Sequence, residues 1–394
     1  VAAIRRFLFA AVLGFVLEKA ALAKTDLDFV VNSMYQSGKG GKQVYDGTGD
    51  QSLTLYEPVL YINSQIDHNT SFFGSVVFDA LSSASAKAFD SGTGASGGGG
   101  GGGEDGEGGE GGDGLFAGWQ TRVGADAGYS KRVGAWAFTP TAGFSHELSY
   151  NSLHGGLNVQ RFFFEDNFVV SAGGFHYSDE ANPWVWGLGA PGKFAGFKKK
   201  TTNSLNASVT QLLSENSLVL AGLSYTSQSG FLEGTRNTVS TGTVTQRGME
   251  SLPGSRDKWT ANARYVRSLA PDLAFHLDYR YYRDSWDIRA NTWEPSLVFA
   301  YSEEKGLVRL LYRRYSQTAA KYYADRFSGV QKFMTSDSDL QKFSANEYGL
   351  QYDYTWEPED ADATVWSLGG TAVYYKRSND LAALVFQAAL KAKF

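Results

Sequence analysis

Apolar and polar side chains alternate with a period of two through sixteen segments, at about 26–37, 51–66, 70–84, 117–132, 135–148, 152–163, 167–178, 200–213, 217–229, 257–268, 272–286, 291–302, 306–318, 342–356, 363–376 and 380–394. That period marks a strand, because successive side chains leave opposite faces. In the second segment Tyr56, Pro58, Leu60 and Ile62 share a face that excludes Glu57 and Asn63. In the fourth, Trp119, Val123, Ala125, Ala127 and Tyr129 oppose Gln120, Arg122 and Asp126. Leu273, Phe275, Leu277, Tyr279 and Tyr281 oppose His276, Asp278, Arg280 and Tyr282, and Tyr348, Leu350, Tyr352, Tyr354 and Trp356 oppose Glu347, Gln351 and Asp353. The last segment gives one wholly apolar set, Ala382, Leu384, Phe386, Ala388, Leu390, Ala392 and Phe394, interleaved with Gln387, Lys391 and Lys393.

Periodicity alone fits a soluble sandwich with its polar face outward or a membrane barrel with its polar face inward. The connections favour the barrel. Tight turns at 67–69, 133–134, 165–167, 215–216, 271–272 and 303–306 alternate with long linkers at 38–50, 85–116, 179–199, 230–256 and 319–341. With sixteen strands every long linker falls at one end. The expected fold is all-β, a transmembrane antiparallel β-barrel of about 16 strands (14 to 18 if a hairpin is merged or split), with short periplasmic turns and long extracellular loops.

Two features add an address. Arg5 and Arg6 precede the apolar run 7–17, and Ala21-Leu22-Ala23 follows, the layout of a secretory signal over 1–23 with the barrel over 24–394. The run is too short for a spanning helix, and no long apolar run follows it. The aromatic end at Phe394 resembles the closing strand of bacterial outer-membrane barrels, which the barrel assembly machinery reads. The expected location is the bacterial outer membrane, with lipid and lipopolysaccharide around the wall.

Composition agrees. Aromatic residues make up 14% of the chain, with 22 Tyr and 26 Phe, as interfacial girdles require. Cysteine is absent, which excludes a disulfide scaffold and thiolate zinc sites. A net charge of -5 gives no reason to expect nucleic acid. Gly97 to Gly103 run on into the acidic repeats of 104–114. This tract, within the linker 85–116, reads as a solvated, disordered external loop rather than a calcium site, since it lacks a regular apolar position on which to stack.

The stretch Tyr56-Glu57-Pro58-Val59-Leu60, followed by Phe78-Asp79-Ala80-Leu81-Ser82-Ser83-Ala84-Ser85, resembles a family of uncharacterised Gram-negative outer-membrane barrels with Glu-Pro-Val and Asp-x-Leu-Thr-Gly-Ala-Ser elements. Ser82-Ser83 stands here where Thr-Gly is expected. The runs 144–150 and 174–180 also fit that family's hairpins. The resemblance implies fold and location and supplies no activity.

Candidate chemistry is sparse. Ser145-His146 and Ser152 with His154 are the nearest approach to a nucleophile and base, and residues one or two apart on a strand rarely reach productive geometry. No catalytic, cofactor or metal site is expected, although His154 and His176 on neighbouring strands would both face the lumen. The lumen charges say more. Asp28, Glu57 and Asp79 face inward on the first three strands, and Glu347 and Asp353 join them across the closure. Arg122 and Asp126 line the fourth strand, while Arg264, His276, Asp278, Arg280, Arg309 and Arg313 line the region where basic residues gather. Trp184 and Trp186 in the linker 179–199 are candidates for a plug, because indoles in a wet loop are costly unless packed. The Thr- and Ser-rich loop 230–256 reads as exposed. The expected function is a porin-like channel for passive diffusion of small hydrophilic solutes, with a monomer and a homo-oligomer both consistent with the sequence. The alternative is a non-conducting structural or surface-interaction barrel.

Overall fold

The computed structural model describes residues 24–38, 53–81, 120–187, 190–235, 237–241, 247–301, 305–356, 358, 360 and 363–394. The signal expected over 1–23 and the Gly-rich acidic tract lie outside the described residues. The strands are β1 (Lys24–Gly38), β2 (Leu53–Asp67), β3 (Thr70–Leu81), β4 (Gln120–Val133), β5 (Trp136–Glu147), β6 (Tyr150–Phe163), β7 (Phe168–Ala181), β8 (Trp184–Gly187), β9 (Ala190–Phe194), β10 (Lys198–Ser214), β11 (Ser217–Gly230), β12 (Thr238–Ser240), β13 (Arg247–Met249), β14 (Ser255–Ala270), β15 (Leu273–Asp284), β16 (Arg289–Tyr301), β17 (Gly306–Gln317), β18 (Phe343–Trp356), β19 (Val365–Arg377) and β20 (Leu381–Lys393).

Sixteen of these strands close an antiparallel barrel, while β8–β9 and β12–β13 are separate hairpins within linkers. The seam is formed by β1 and β20, paired from Asp26 opposite Lys393 to Gly38 opposite Leu381. Beyond it Phe394 donates its N–H to the Thr25 carbonyl at 2.9 Å. Closure removes the free edge that hydrocarbon would not tolerate. The sixteen segments of the sequence pattern are the sixteen barrel strands, with ends shifted by a few residues.

Outward positions carry the apolar surface. Leu60, Leu157, Leu205, Leu223, Leu310 and Leu350 are exposed midway along their strands. Exposed aromatics bound this band at both ends. Tyr35, Tyr56, Trp259, Trp293, Tyr348 and Tyr374 lie towards one end, and Tyr129, Trp136, Tyr301, Trp356, Trp366 and Phe394 towards the other. This is the surface a bilayer solvates, with amphipathic rings at headgroup depth.

The two ends differ. At one, every connection is short: 68–69, 134–135, 164–167, 215–216, 271–272, 302–305 and 357–364. All the long linkers emerge at the other, but three connections there are also tight hairpins, at 148–149, 285–288 and 378–380. The alternation of short and long expected from sequence therefore holds as an asymmetry between ends, not loop by loop.

Candidate functional site

The closed register turns alternate residues of each strand into the lumen. On β1 to β7 the inward positions hold Asp26, Asp28, Glu57, Asp79, Asp126, Glu147 and Asp179, with Arg122 among them. Around β10 and β14 to β19 they hold Lys200, Arg256, Lys258, Arg264, Arg280, Arg309, Arg313 and Arg377, interleaved with Asp278, Asp284, Glu294, Glu347 and Asp353. One side of the lumen is acidic and the other is mainly basic.

The acidic side is anchored by one guanidinium. Asp79, Arg122 and Glu147 lie opposite one another across β3, β4 and β5, and all three are buried. Arg122 Nε donates to Asp79 Oδ2, and its guanidinium lies 3.7 Å from Glu57. Glu57 also accepts from Asn32 Nδ2 at 2.9 Å, and Asn32 Oδ1 accepts from Gln387 Nε2 at 2.8 Å, which carries the network across the seam.

Further round, His154 Nε2 lies 2.6 Å from Asp126 Oδ1, and Tyr177 stacks on the imidazole at 4.9 Å. These partners sit on β6 and β4, with Gly143 of β5 between them. A Cβ at Gly143 would lie 2.3 Å from Asp126 Oδ1 and 2.4 Å from His154 Nε2, so the missing side chain lets the ring span a strand. His176 does not join His154. It lies opposite Gly155, on the outward parity, and bonds to Asn203 through Nδ1 at 2.8 Å. The expectation that both imidazoles face the lumen fails because the register across the 164–167 turn sets His154 opposite Tyr177 and leaves His176 on the other face. Ser145 and His146 are neighbours on opposite faces of β5. Ser152 Oγ and His154 Nδ1 are each buried without a hydrogen-bond partner, so no serine–histidine contact forms there.

The basic side interleaves its charges. Arg264 Nε donates to Asp278 Oδ1 at 2.6 Å. Arg309 donates to Ser296 Oγ at 3.2 Å, with Glu294 4.0 Å away. Arg313 sits 3.7 Å from Glu294 and 3.6 Å from Glu347. Glu347 is thus a partner of the basic side, not an extension of the acidic one, which corrects the sequence reading. Asp353 accepts from Gln351 Nε2 at 2.6 Å. His276 occupies an inward position on β15 opposite Val266 and Ser296.

Two linkers fold together over this side. Gly230, at φ +102°, ends β11, and a Cβ there would meet the Lys199 carbonyl at 2.3 Å. The chain then places Phe231 against Tyr150 and Ala181 on the inner wall. Leu252, Trp286, Ile288, Ala320 and Leu340 form one buried cluster, and Val239, Phe327 and Met334 another. Ser251 and Met334 exchange backbone bonds at 3.0 and 2.7 Å, Thr335 Oγ1 donates to Glu250 Oε1 at 2.5 Å, and Asn237 Nδ2 donates to Asp337 Oδ2 at 3.2 Å. The linker 318–342 is fastened to the wall by Arg377, whose Nη1 donates to Asp339 Oδ1 at 2.5 Å, and by Gln317 Nε2, which donates to the carbonyls of Asp339 and Gln341 at 2.8 and 2.6 Å. Burial, and then its bond to Asp325, push the Tyr323 hydroxyl up, so it stays neutral within this shelf.

The loop 230–256, expected to be exposed, is therefore packed: Thr235, Thr238, Val239 and Glu250 are buried. Its Glu250 carboxylate and Asn237 amide find partners in a linker some eighty to a hundred residues away, as the Thr335–Glu250 and Asn237–Asp337 bonds show. The proposed plug residues Trp184 and Trp186 belong to the β8–β9 hairpin, and their side chains lie outside the described residues. Between shelf and wall is a cavity of about 630 Å³ that takes residues from β6, β7, β10, β11, β14, β15, β17, β18 and β19.

The model of the family described as "Protein of unknown function (DUF3570)" matches residues 44–386. The chain belongs to this family. No curated protein matches the sequence. Among solved structures, the DUF3570 chain is similar to a bacterial polysaccharide outer membrane secretin, with 10% identity and a TM-score of 0.45, covering 93% of this chain and 98% of that one. It is similar to OccK1 (OpdK) of Pseudomonas aeruginosa, with 8% identity and a TM-score of 0.45, covering 94% and 99%. It is also similar to CdiB from Acinetobacter baumannii, with 10% identity and a TM-score of 0.48, covering 93% and 60%.

In this DUF3570 member the lumen-facing charges not named from sequence include Glu147, Asp179, Lys200, Arg256 and Arg377, all near the long-loop ends of their strands. Alternation extended to the true strand ends would have found Asp179, Arg256 and Arg377, whereas Glu147 and Lys200 lay within the segments already and needed only the alternation itself.

Proposed function

We propose that the protein is a bacterial outer-membrane channel for passive diffusion of small hydrophilic solutes. The observation that carries this reading is the inverted surface: exposed leucines and two aromatic belts face outward, while an acidic and a basic wall face each other across the lumen. A sixteen-stranded barrel is wide enough to hold an aqueous path. Here the shelf narrows that path on the basic side, and the opposed charges orient dipolar solutes passing beneath it. Liposome swelling tests the reading. Vesicles holding the refolded protein swell in small sugars and amino acids and swell less as solute size rises, whereas a rate equal to that of empty vesicles contradicts it.

One observation favours a second reading, a non-conducting barrel whose outer surface is its function: the shelf has its own buried clusters and is fastened to the wall at Arg377. On that reading folded protein stays silent until the shelf is removed.

A further inference from the structure

The cavity beneath the shelf has two unlike sides. β10 and β11 present Thr202, Ser204, Thr226 and Gln228 to it, with Lys200 further along β10 and Lys258 of β14 opposite Thr226. Ser204 and Thr226 share one bond at 2.8 Å, and Gln228 Nε2 donates to Thr202 Oγ1 at 3.3 Å, which leaves each of these groups further hydrogen-bonding capacity. β15 and β17 present Arg280 and Arg313. Register puts Arg280 opposite Thr292 and Thr292 opposite Tyr315, with Arg313 two residues along the same inward face, and all three of Arg280, Arg313 and Tyr315 line the cavity.

These two arginines differ from the others lining the cavity. Arg256 donates to Asp284 at 2.5 Å and Arg377 to Asp339 at 2.5 Å. Arg313 has its carboxylates at 3.6 and 3.7 Å, and its Nε is buried without a hydrogen-bond partner. Arg280 is exposed to the lumen and has neither an ion pair nor a hydrogen bond among the described residues. The loop carboxylates nearby already serve the shelf, since Glu250 accepts from Gly234 N and Thr335, and Asp337 from Asn237.

We propose that this cavity binds a small polyhydroxylated oxyanion, a sugar acid or sugar phosphate. Its charged group sits on Arg280 and Arg313, and its hydroxyls face Thr202, Ser204, Thr226 and Gln228. A planar guanidinium fork matches a carboxylate or phosphate edge. The hydroxyl and amide groups of β10 and β11 suit hydroxyls, and a volume of about 630 Å³ admits a ligand of that size. The site rests on the channel reading for its route of entry, though not for binding itself.

The test is calorimetric titration of the refolded, heat-modifiable protein with D-gluconate, glucose 6-phosphate, D-glucose and benzoate. At least one of the two oxyanion sugars binds saturably, and D-glucose and benzoate bind more weakly. Binding of gluconate alone assigns a carboxylate, of glucose 6-phosphate alone a phosphate, and of both the shared oxyanion. Arg280→Gln weakens binding by about tenfold or more, as loss of a charged hydrogen-bond donor should. Lys376→Gln, on the outward face, leaves it unchanged. Absence of oxyanion binding, equal binding of glucose, or indifference to Arg280→Gln overturns the proposal. Potassium chloride conductance of the same preparation separates the two readings. A conducting pore that binds neither oxyanion removes the site alone, and a silent barrel that binds one removes the channel alone.

Discussion

The Arg122 cluster on the acidic side and the Arg264 to Arg313 region on the basic side handle charge in opposite ways. On the acidic side one buried guanidinium serves several carboxylates: Arg122 and Asp79 have side chains only 8% and 7% exposed, with Glu57 close by. On the basic side Glu294 lies between Arg309 and Arg313 in a wetter setting, and the Arg264–Asp278 pair is 50% and 25% exposed, while the Arg256–Asp284 and Arg377–Asp339 pairs near the long-loop end are buried like the Arg122 cluster. The strand pattern is the same on both sides. Burial decides whether a pair is structural or adjustable, because desolvation raises the cost of losing a partner while solvent screens it away.

Arg122→Gln should have the largest effect. It strands Asp79 and Glu57 in a buried setting and costs about 3–5 kcal/mol, read as a lower urea midpoint for unfolding from lipid vesicles. A loss under about 1 kcal/mol would erase the distinction between the sides. Gly143→Ala comes next, since the new Cβ pushes Asp126 and His154 apart, at about 1–3 kcal/mol in the same assay. Asp339→Asn acts on the opposite side. It weakens the clasp to Arg377 at about 1–3 kcal/mol, and the loosened shelf gives larger, noisier conductance steps.

Arg264→Gln, although it removes a hydrogen bond of 2.6 Å, should cost under about 1 kcal/mol and appear mainly as a reversal potential moved towards cations. The smallest effect lies outside the membrane. The bond from Arg132 holds the Asp166 carboxyl below its ordinary range, so the stabilisation is present above the unfolded carboxylate range and is lost as pH falls through the lower folded value. Asp166→Asn removes that acid-side dependence and leaves the neutral-pH midpoint nearly unchanged.

Much of this was legible in the chain. Alternation in segments such as 272–286 and turns such as Pro271-Asp272 mark strands by local rules, and closure follows from their even number. The shelf was not legible. Asn237, Val239 and Glu250 look like solvated loop residues until Asp337, Met334 and Thr335 pack against them, and a period of two carries no information about partners that far apart. The parity of His176 was hidden for a related reason: register across a hairpin depends on its turn, and Phe164, Glu165 and Asp166 at φ 52°, 56° and 67° make this one unusual. Glu347 was assigned to the acidic side by strand number alone, while its partner was set by the neighbouring β17.

Single-channel recording in a planar bilayer under a salt gradient tests the central claim most directly. The account predicts stable conductance steps from the folded protein, with steps that grow in Asp339→Asn. A folded, heat-modifiable barrel that stays silent in both forms would contradict the account.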